Sequence, residues 1–237
     1  MTRIDQEMKL RGLVQTRSQA ASLIKAKKVL CNQQLVSKAG LIVNKDDRSA
    51  LLDEVYVSRG AYKLLQALNE FELEVKDLVC ADVGASTGGF TQVLLERGAK
   101  KVYAIDVGQG QLHESLRDDL RVENLEKCDV RKIQGLSDLD FLVMDVSFIS
   151  VEAVWSSVLG LVKDGAMMVI LIKPQFEGVI AKGKVSSEQQ RQQRLQKVLA
   201  YVQDQGAQLH KVSACDVKGK EGNQEYLVLL SKKLKAI

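Results

Sequence analysis

The residues best suited to chemistry in this 237-residue chain begin with Asp82-Val83-Gly84-Ala85-Ser86-Thr87-Gly88-Gly89-Phe90, at the end of an apolar run from Leu78. Small side chains there let backbone approach a ligand closely, and Gly84 permits a turn that a side chain would block. The spacing is not the GxGxxG of dinucleotide sites. Asp106, followed by Val107, ends the next apolar run 24 positions after Asp82. A carboxylate at that place can accept hydrogen bonds from both hydroxyls of a ribose. Asp129, in Cys128-Asp129-Val130, follows a third strand and can receive an adenine amino group. An acid, a glycine loop and two further acids form the layout expected for S-adenosylmethionine, whose sulfonium is cationic and whose nucleoside carries no phosphate. The plainer alternative is a tight strand-to-helix turn without a ligand, and it weighs most for Asp129.

The acceptor of such a methyl group is narrowed by what the chain lacks. Amino-directed nucleic-acid methyltransferases use an Asn-Pro-Pro-Tyr type of loop, whereas Pro174 is the one proline here. Carbon-5 chemistry on cytosine needs a nucleophilic cysteine, but the corresponding strand ends in Met144-Asp145-Val146-Ser147-Phe148. Asp145 and Lys173 remain, each at a strand end, with Pro174 keeping Lys173 extended at the rim of the crevice. An ammonium held by a carboxylate can orient a hydroxyl and stabilise developing alkoxide character during in-line transfer. Read without that role, Lys173 is an ordinary surface lysine closing a strand.

These residues need elements to hold them. Apolar runs at Leu78 to Val83, Lys101 to Asp106, Asp140 to Asp145 and Ala166 to Lys173 alternate with polar turns and helix-like periodicity. The series predicts an α/β fold with a doubly wound, mostly parallel, Rossmann-like methyltransferase sheet and a ligand crevice at the carboxyl ends of its strands. A helix starts after Ser187 with Gln190 as capping partner, carries Leu195, Val198, Leu199 and Val202 on one stripe and stops at Gly206. Strands near Gln208 to Val217 and Glu225 to Ser231 close the chain.

Ahead of this domain the charge changes. Residues 1–45 hold nine Lys or Arg against Asp5 and Glu7, a net of +7, while the rest of the chain carries −3. Thr16-Arg17-Ser18-Gln19 reads as a capping box opening a short helix that ends in Lys25, Lys27 and Lys28. Short strands follow over Val29 to Asn32 and Gln34 to Val43, broken by Asn32-Gln33 and Gly40, with a further extended stretch over Glu54 to Val57. The pattern from Arg3 to Val43 resembles the RNA-binding module named after ribosomal protein S-four, although Lys27 and Gln33 stand where that module commonly has glycine. The resemblance implies a small N-terminal α+β RNA-binding domain over residues 1–58, joined to a methyltransferase domain over 59–237. Arg3, Arg11, Arg17, Lys25, Lys27 and Lys28 are the expected phosphate contacts.

Composition limits the remaining choices. Apolar residues make up 46% and charged residues 27%, which excludes disordered and collagen-like classes. Cys31, Cys80, Cys128 and Cys215 lie at least 48 positions apart with no ligand spacing, and there are two histidines, so reduced thiols and no metal are expected. No apolar stretch approaches the roughly 20 residues of a membrane helix, and no secretory leader is legible, which points to the cytoplasm.

In combination, Ser58-Arg59-Gly60-Ala61-Tyr62-Lys63, the Asp82 to Thr91 motif, Asp106-Val107-Gly108, Asp145-Val146-Ser147-Phe148-Ile149-Ser150, Lys173-Pro174-Gln175-Phe176-Glu177 and Gly222-Asn223-Gln224-Glu225-Tyr226 resemble the TlyA family over nearly the whole chain. That family is described both as haemolysins and as ribosomal RNA 2'-O-methyltransferases with an FtsJ-like catalytic domain. The resemblance implies transfer from S-adenosylmethionine to a ribose 2'-hydroxyl, of a cytidine, in ribosomal RNA or ribosomal subunits. It also places a Lys-Asp-Lys-Glu tetrad on Lys63, Asp145, Lys173 and Glu225. On pattern alone, Lys63 on a helix and Glu225 on a strand would be surface residues. After Glu177 the family has a longer glycine-rich loop than the Gly178 to Val185 segment found here. Two rivals stand beside this reading: an RNA-binding ribosome assembly factor that has lost activity, and a membrane-lytic protein, for which no spanning segment is seen.

Overall fold

The computed structural model describes residues 1–14, 16–25, 27–32, 34–51, 56–177, 187–219 and 222–234. Contacts divide the chain into two compact units, Met1–Arg59 and Gly60–Ile237.

The first unit runs β1 (Thr2–Arg3), α1 (Ile4–Leu10), α2 (Arg17–Lys25), β2 (Val29–Cys31), β3 (Gln34–Leu35), β4 (Ile42–Val43) and β5 (Ser49–Leu51). β1 pairs with β4, and β2 lies between β3 and β5. Ile4 and Met8 of α1, Ala20 and Ile24 of α2, and Val29, Val36 and Val43 form its core. The expected capping of α2 is present, with the Gln19 amide donating to Thr16 Oγ1 at 3.1 Å. At its other end the amides of Lys27 and Lys28 return to the carbonyls of Ile24 and Leu23. Lys27 takes a φ of 56°, the left-handed turn that a glycine would adopt without strain. Helix α1 leaves no periodic signal in the sequence, because Ile4 and Met8 are too few to mark one. The break expected at Gly40 separates β3 from β4, where the Leu41 amide turns back to Lys38. Gln33 and the first part of the stretch expected over Glu54 to Val57 fall outside the described residues.

The second unit continues with α3 (Gly60–Glu70), β6 (Val79–Val83), α4 (Gly89–Glu96), β7 (Lys101–Ile105), α5 (Glu114–Arg117), β8 (Val122–Leu125), β9 (Leu139–Met144), α6 (Val151–Leu161), β10 (Val162–Ile172), α7 (Glu188–Asp204), β11 (Ala207–Ala214) and β12 (Tyr226–Lys232). Two 3-10 turns, Val130–Lys132 and Pro174–Phe176, follow β8 and β10. The strands form one seven-stranded sheet in the order β11-β12-β10-β9-β6-β7-β8. β6 to β10 are parallel to one another, and β12 runs antiparallel between β10 and β11. Leu142, Met144, Met168, Ile170 and Val228 pack with Trp155, Val158, Leu195 and Val198 of α6 and α7. Val143, Val169, Leu171 and Leu229, which alternate with them, are also buried. Both faces are therefore covered, which is why these strands read as continuous apolar runs.

The chain leaves β6 toward β7 and β8, then crosses to β9 and β10 on its other side. The order reverses between β6 and β9, and the crevice outside their carboxyl ends is where an open sheet of this kind binds ligands. Serine capping of α7 is also as the sequence indicates, with Ser187 accepting from the Gln190 amide and Gly206 at a φ of 98° beyond the helix end.

Candidate active site

The register of the sheet brings the motif residues to one edge. Val83 pairs with Met144, so Gly84 and Asp145 emerge side by side, and the Asp145 amide donates to the Val83 carbonyl at 2.9 Å. A Cβ on Gly84 would lie 2.7 Å from the Asp145 carbonyl oxygen, and φ there is 87°, so the position needs glycine on both counts. Asp106, at the end of β7, ties down the same loop. Its Oδ2 accepts from the Ser86 amide at 2.8 Å and its Oδ1 from the Gly108 amide at 2.7 Å. One lone pair on each oxygen stays free for a further donor. Val107 beside it is 72% exposed, an apolar face with nothing packed over most of it.

Asp82 lies beneath this loop and is fully buried. Its Oδ2 accepts from Thr91 Oγ1 at 2.7 Å, and Oδ1 has no partner. Burial pushes this carboxyl up to about 7, opposed by the Thr91 hydrogen bond and assisted by the charges of Asp145 and Asp106. In the unfolded chain the group ionises near its ordinary value of about 4. Its contribution to stability is thus complete below that value and is lost as pH rises toward about 7. Asp82→Asn is expected to raise the melting temperature at pH 8, with the gain shrinking as pH is lowered toward 4. Thermal melts across that range check it, and a gain independent of pH would show that ionisation is not the cause.

Four charged side chains meet beside the loop, from α3, the ends of β9 and β10, and the start of β12. Lys63 Nζ donates to Glu225 Oε2 at 2.6 Å and lies 3.8 Å from Asp145 Oδ2. Lys173 Nζ lies 2.5 Å from Asp145 Oδ1 and donates to Ser147 Oγ at 2.7 Å. The result is a chain, Glu225–Lys63–Asp145–Lys173, with alternating charge. Antiparallel register explains one end of it: Ile172 pairs with Tyr226, so the next residues outward, Lys173 and Glu225, reach the same rim. The helical stripe of α3 explains the other, since Ala61, Leu64, Ala67 and Leu68 are buried and Lys63 lies one turn before Ala67 on that face. Lys63 and Glu225 are only 8% and 2% exposed, so the surface location expected from pattern is wrong for both. Burial alone lowers Lys63, but the carboxylates of Asp145 and Glu225 outweigh it and leave its pKa above the ordinary lysine value, so it is a cation in this setting.

Several expected contacts are already engaged. Asp129 is gripped by its neighbour, with Arg131 Nη2 at 2.6 Å from Oδ2 and Nε at 2.9 Å from Oδ1. That pairing pulls its carboxyl down to about 2. Arg11 is a strut rather than a free cation: it binds Glu7 at 2.9 Å and the carbonyls of Asp47 and Lys45. Arg3 and Arg17 converge on the buried Asp5 while about half of each side chain stays exposed. Phe90 is buried in α4, so its ring belongs to the core and its place in the motif is a packing one. Phe148, not singled out by type or spacing, is 84% exposed with a φ of 65°, and its ring stands 5.0 Å from that of Phe176. An exposed aromatic held in a left-handed conformation three residues after Asp145 is a costly arrangement that packing does not explain. Among the described residues no cluster of metal-binding side chains is present.

Parallel sheet, glycine turn at the reversal point and a buried Lys-Asp-Lys-Glu chain stand together at the carboxyl edge of a Rossmann-like sheet. The chain matches the FtsJ-like methyltransferase model over residues 56–232 and the S4 domain model over 2–49. It is 41% identical to the 16S/23S rRNA (cytidine-2'-O)-methyltransferase TlyA of Mycobacterium tuberculosis, covering 96% of this chain and 89% of that protein. It is 37% identical to Hemolysin A of Brachyspira hyodysenteriae, with 95% and 98% covered. A solved structure named as a hemolysin, from Streptococcus thermophilus, superposes with a TM-score of 0.75 at 36% identity over 98% of this chain and 88% of that one. The chain belongs to the TlyA family of FtsJ-like methyltransferases.

Proposed function

We propose that the protein transfers a methyl group from S-adenosylmethionine to the ribose 2'-hydroxyl of a cytidine in ribosomal RNA, with Lys63, Asp145, Lys173 and Glu225 as its catalytic set. The observation that carries this reading is the convergence of those four groups, three of them almost wholly buried, beside the glycine turn. The chemistry of the crevice fits the methyl donor: its acids, Asp106 and Asp145, suit a cation, and Asp145 Oδ1, paired in charge with Lys173, is a buried acceptor with no hydrogen bond among the described residues. Asp106, fixed by two amides, is assigned to the ribose hydroxyls, and exposed Val107 to one face of the base. When bound, S-adenosylmethionine supplies an electrophilic methyl on a sulfonium.

Lys173 carries the central task. Its ammonium donates to Ser147 and is paired in charge with Asp145, and an ammonium's three donors leave capacity for the 2'-oxygen. The ammonium orients that oxygen and meets the negative charge that develops as its proton departs. Lys63, paired with Glu225, keeps Asp145 from turning away. Phe148 offers an open ring for the target base, and Arg3, Arg17, Lys25, Lys27 and Lys28 are the cations assigned to RNA phosphates by the N-terminal unit. Among the described residues no helix is long and apolar enough to cross a membrane, so the membrane-lytic rival has no spanning helix there.

Labelled S-adenosylmethionine and isolated ribosomal subunits test the reading. Label is expected in ribosomal RNA at a linkage that resists alkali, because a methylated 2'-oxygen cannot attack its phosphate. Label on a base, or none in either subunit, overturns it. A companion expectation concerns Asp106→Ala, which removes hydrogen bonds to a charged acceptor worth roughly 1.5 to 3 kcal/mol and weakens S-adenosylmethionine about 10- to 150-fold. Unchanged affinity by calorimetry removes Asp106 from the binding set.

A further inference from the structure

We propose that Glu177 is a positioning residue that fastens the Lys173 segment to the loop carrying Asp145, Ser147 and Phe148, and so sets the ammonium against its carboxylate. The inference deepens the catalytic reading above and rests on it for its kinetic part. Two loops leave adjacent strand ends here, 145–150 after β9 and 173–177 after β10. They are joined at successive points: Lys173 to Asp145 at 2.5 Å and to Ser147 at 2.7 Å, then the rings of Phe176 and Phe148 at 5.0 Å. Glu177 makes the last join. Its Oε1 and Oε2 accept from the Val151 amide at 3.1 and 3.3 Å.

Val151 opens α6, whose first amides have no partner inside the helix. Ser150 Oγ takes the Ala153 amide, and Glu177, arriving from the other loop, takes that of Val151. A carboxylate suits the positive end of a helix, yet this one is only 4% exposed. Desolvation pushes it up to about 7 against the pull of the Val151 amide, with Glu152 adding repulsion and Lys197 and Arg194 attraction. An apolar side chain would fill the same space without that cost. What it could not do is bind the amide and thereby fix where the chain beyond Lys173 goes. Arg194 of α7 braces the same segment by donating to the Pro174 carbonyl at 2.8 Å.

Length and charge can be separated at this position. Glu177→Gln keeps the reach and an acceptor oxygen without the charge, whereas Glu177→Asp keeps the charge and loses one methylene of reach. A positioning role predicts that the Asp variant loses about 10-fold or more in kcat, the scale on which small displacements of reacting groups act. Its S-adenosylmethionine affinity should stay within about twofold, and hydrogen exchange of the Val151 amide should accelerate. The Gln variant should retain kcat within about threefold and keep Val151 protected. The proposal is overturned if the Asp variant keeps its kcat, if the Gln variant loses as much as the Asp variant, or if either loses fold and cofactor affinity along with activity. Should the parent protein itself transfer no methyl to ribosomal RNA, the catalytic reading fails, and the exchange of Val151 in the two variants still decides whether Glu177 holds the amide.

Discussion

Lys173→Ala is expected to lower methyl transfer by roughly 10²-fold, the loss typical of removing one electrostatic stabiliser of the transition state. Binding should change far less, because Asp106, the acid assigned to the ribose, ends β7, three strands away from the β10 end that carries Lys173. Its ammonium is held 2.5 Å from Asp145 Oδ1 and 2.7 Å from Ser147 Oγ, fixed in place to meet the hydroxyl. Arginine is expected to be no remedy, since a planar fork cannot occupy a site shaped for a compact ammonium that is 7% exposed. Single-turnover transfer to ribosomal subunits, with calorimetry for the cofactor, checks the result. An Ala variant of full activity removes Lys173 from the catalytic set, and one that no longer binds cofactor moves it into the binding shell.

The second large effect concerns stability. Lys63→Ala leaves Glu225, in a nearly water-free position, with no cation beside it among the described residues and leaves Asp145 with one ammonium where it had two. Breaking a buried pair from one side costs about 3–5 kcal/mol. For a domain of this size that corresponds to a melting temperature lower by roughly 6–20 °C. Replacing both partners, with Lys63→Met and Glu225→Gln together, is expected to restore most of that loss while methyl transfer stays low. Thermal melts and transfer assays on the single and double variants separate the two roles; a double variant as unstable as the single one refutes the charge explanation.

The parts of this site that were legible in the sequence are those fixed by local chemistry. The glycine turn, the strand ends at Asp82, Asp106 and Asp145, the proline behind Lys173 and the serine cap of α7 are each written within a few residues. Lys63 and Glu225 are 162 positions apart, and each is sensible in a buried place only because of the other, so no local pattern reveals them. A partial signal existed: Lys63 shares the apolar stripe of α3 with Ala67. Asp129 and Arg11 are the reverse case, with partners close by in the chain. Arg131 two residues after the first, and Glu7 one helical turn before the second, were readable as local partners that take up their charge. Phe148 left no trace in composition, because its conformation and exposure, not its type, set it apart.

The place of β12 in the sheet bears on how the molecule comes into being. The strand that brings Glu225 is the last of the seven in the chain, and it inserts between β10 and β11. On a growing polypeptide, the glycine turn and the carboxylates of β6, β7 and β9 are all synthesised and can pair while that slot stands empty. Lys63 then has Asp145 as its single neighbouring carboxylate of the pair it finally holds. The capacity to hold a methyl donor is thus encoded in the earlier part of the sheet, and the capacity to use it waits for a long-range closure that is entropically late. With the roles proposed for Asp106 and Glu225, an incomplete chain is, by this order of assembly, a binder before it is a catalyst.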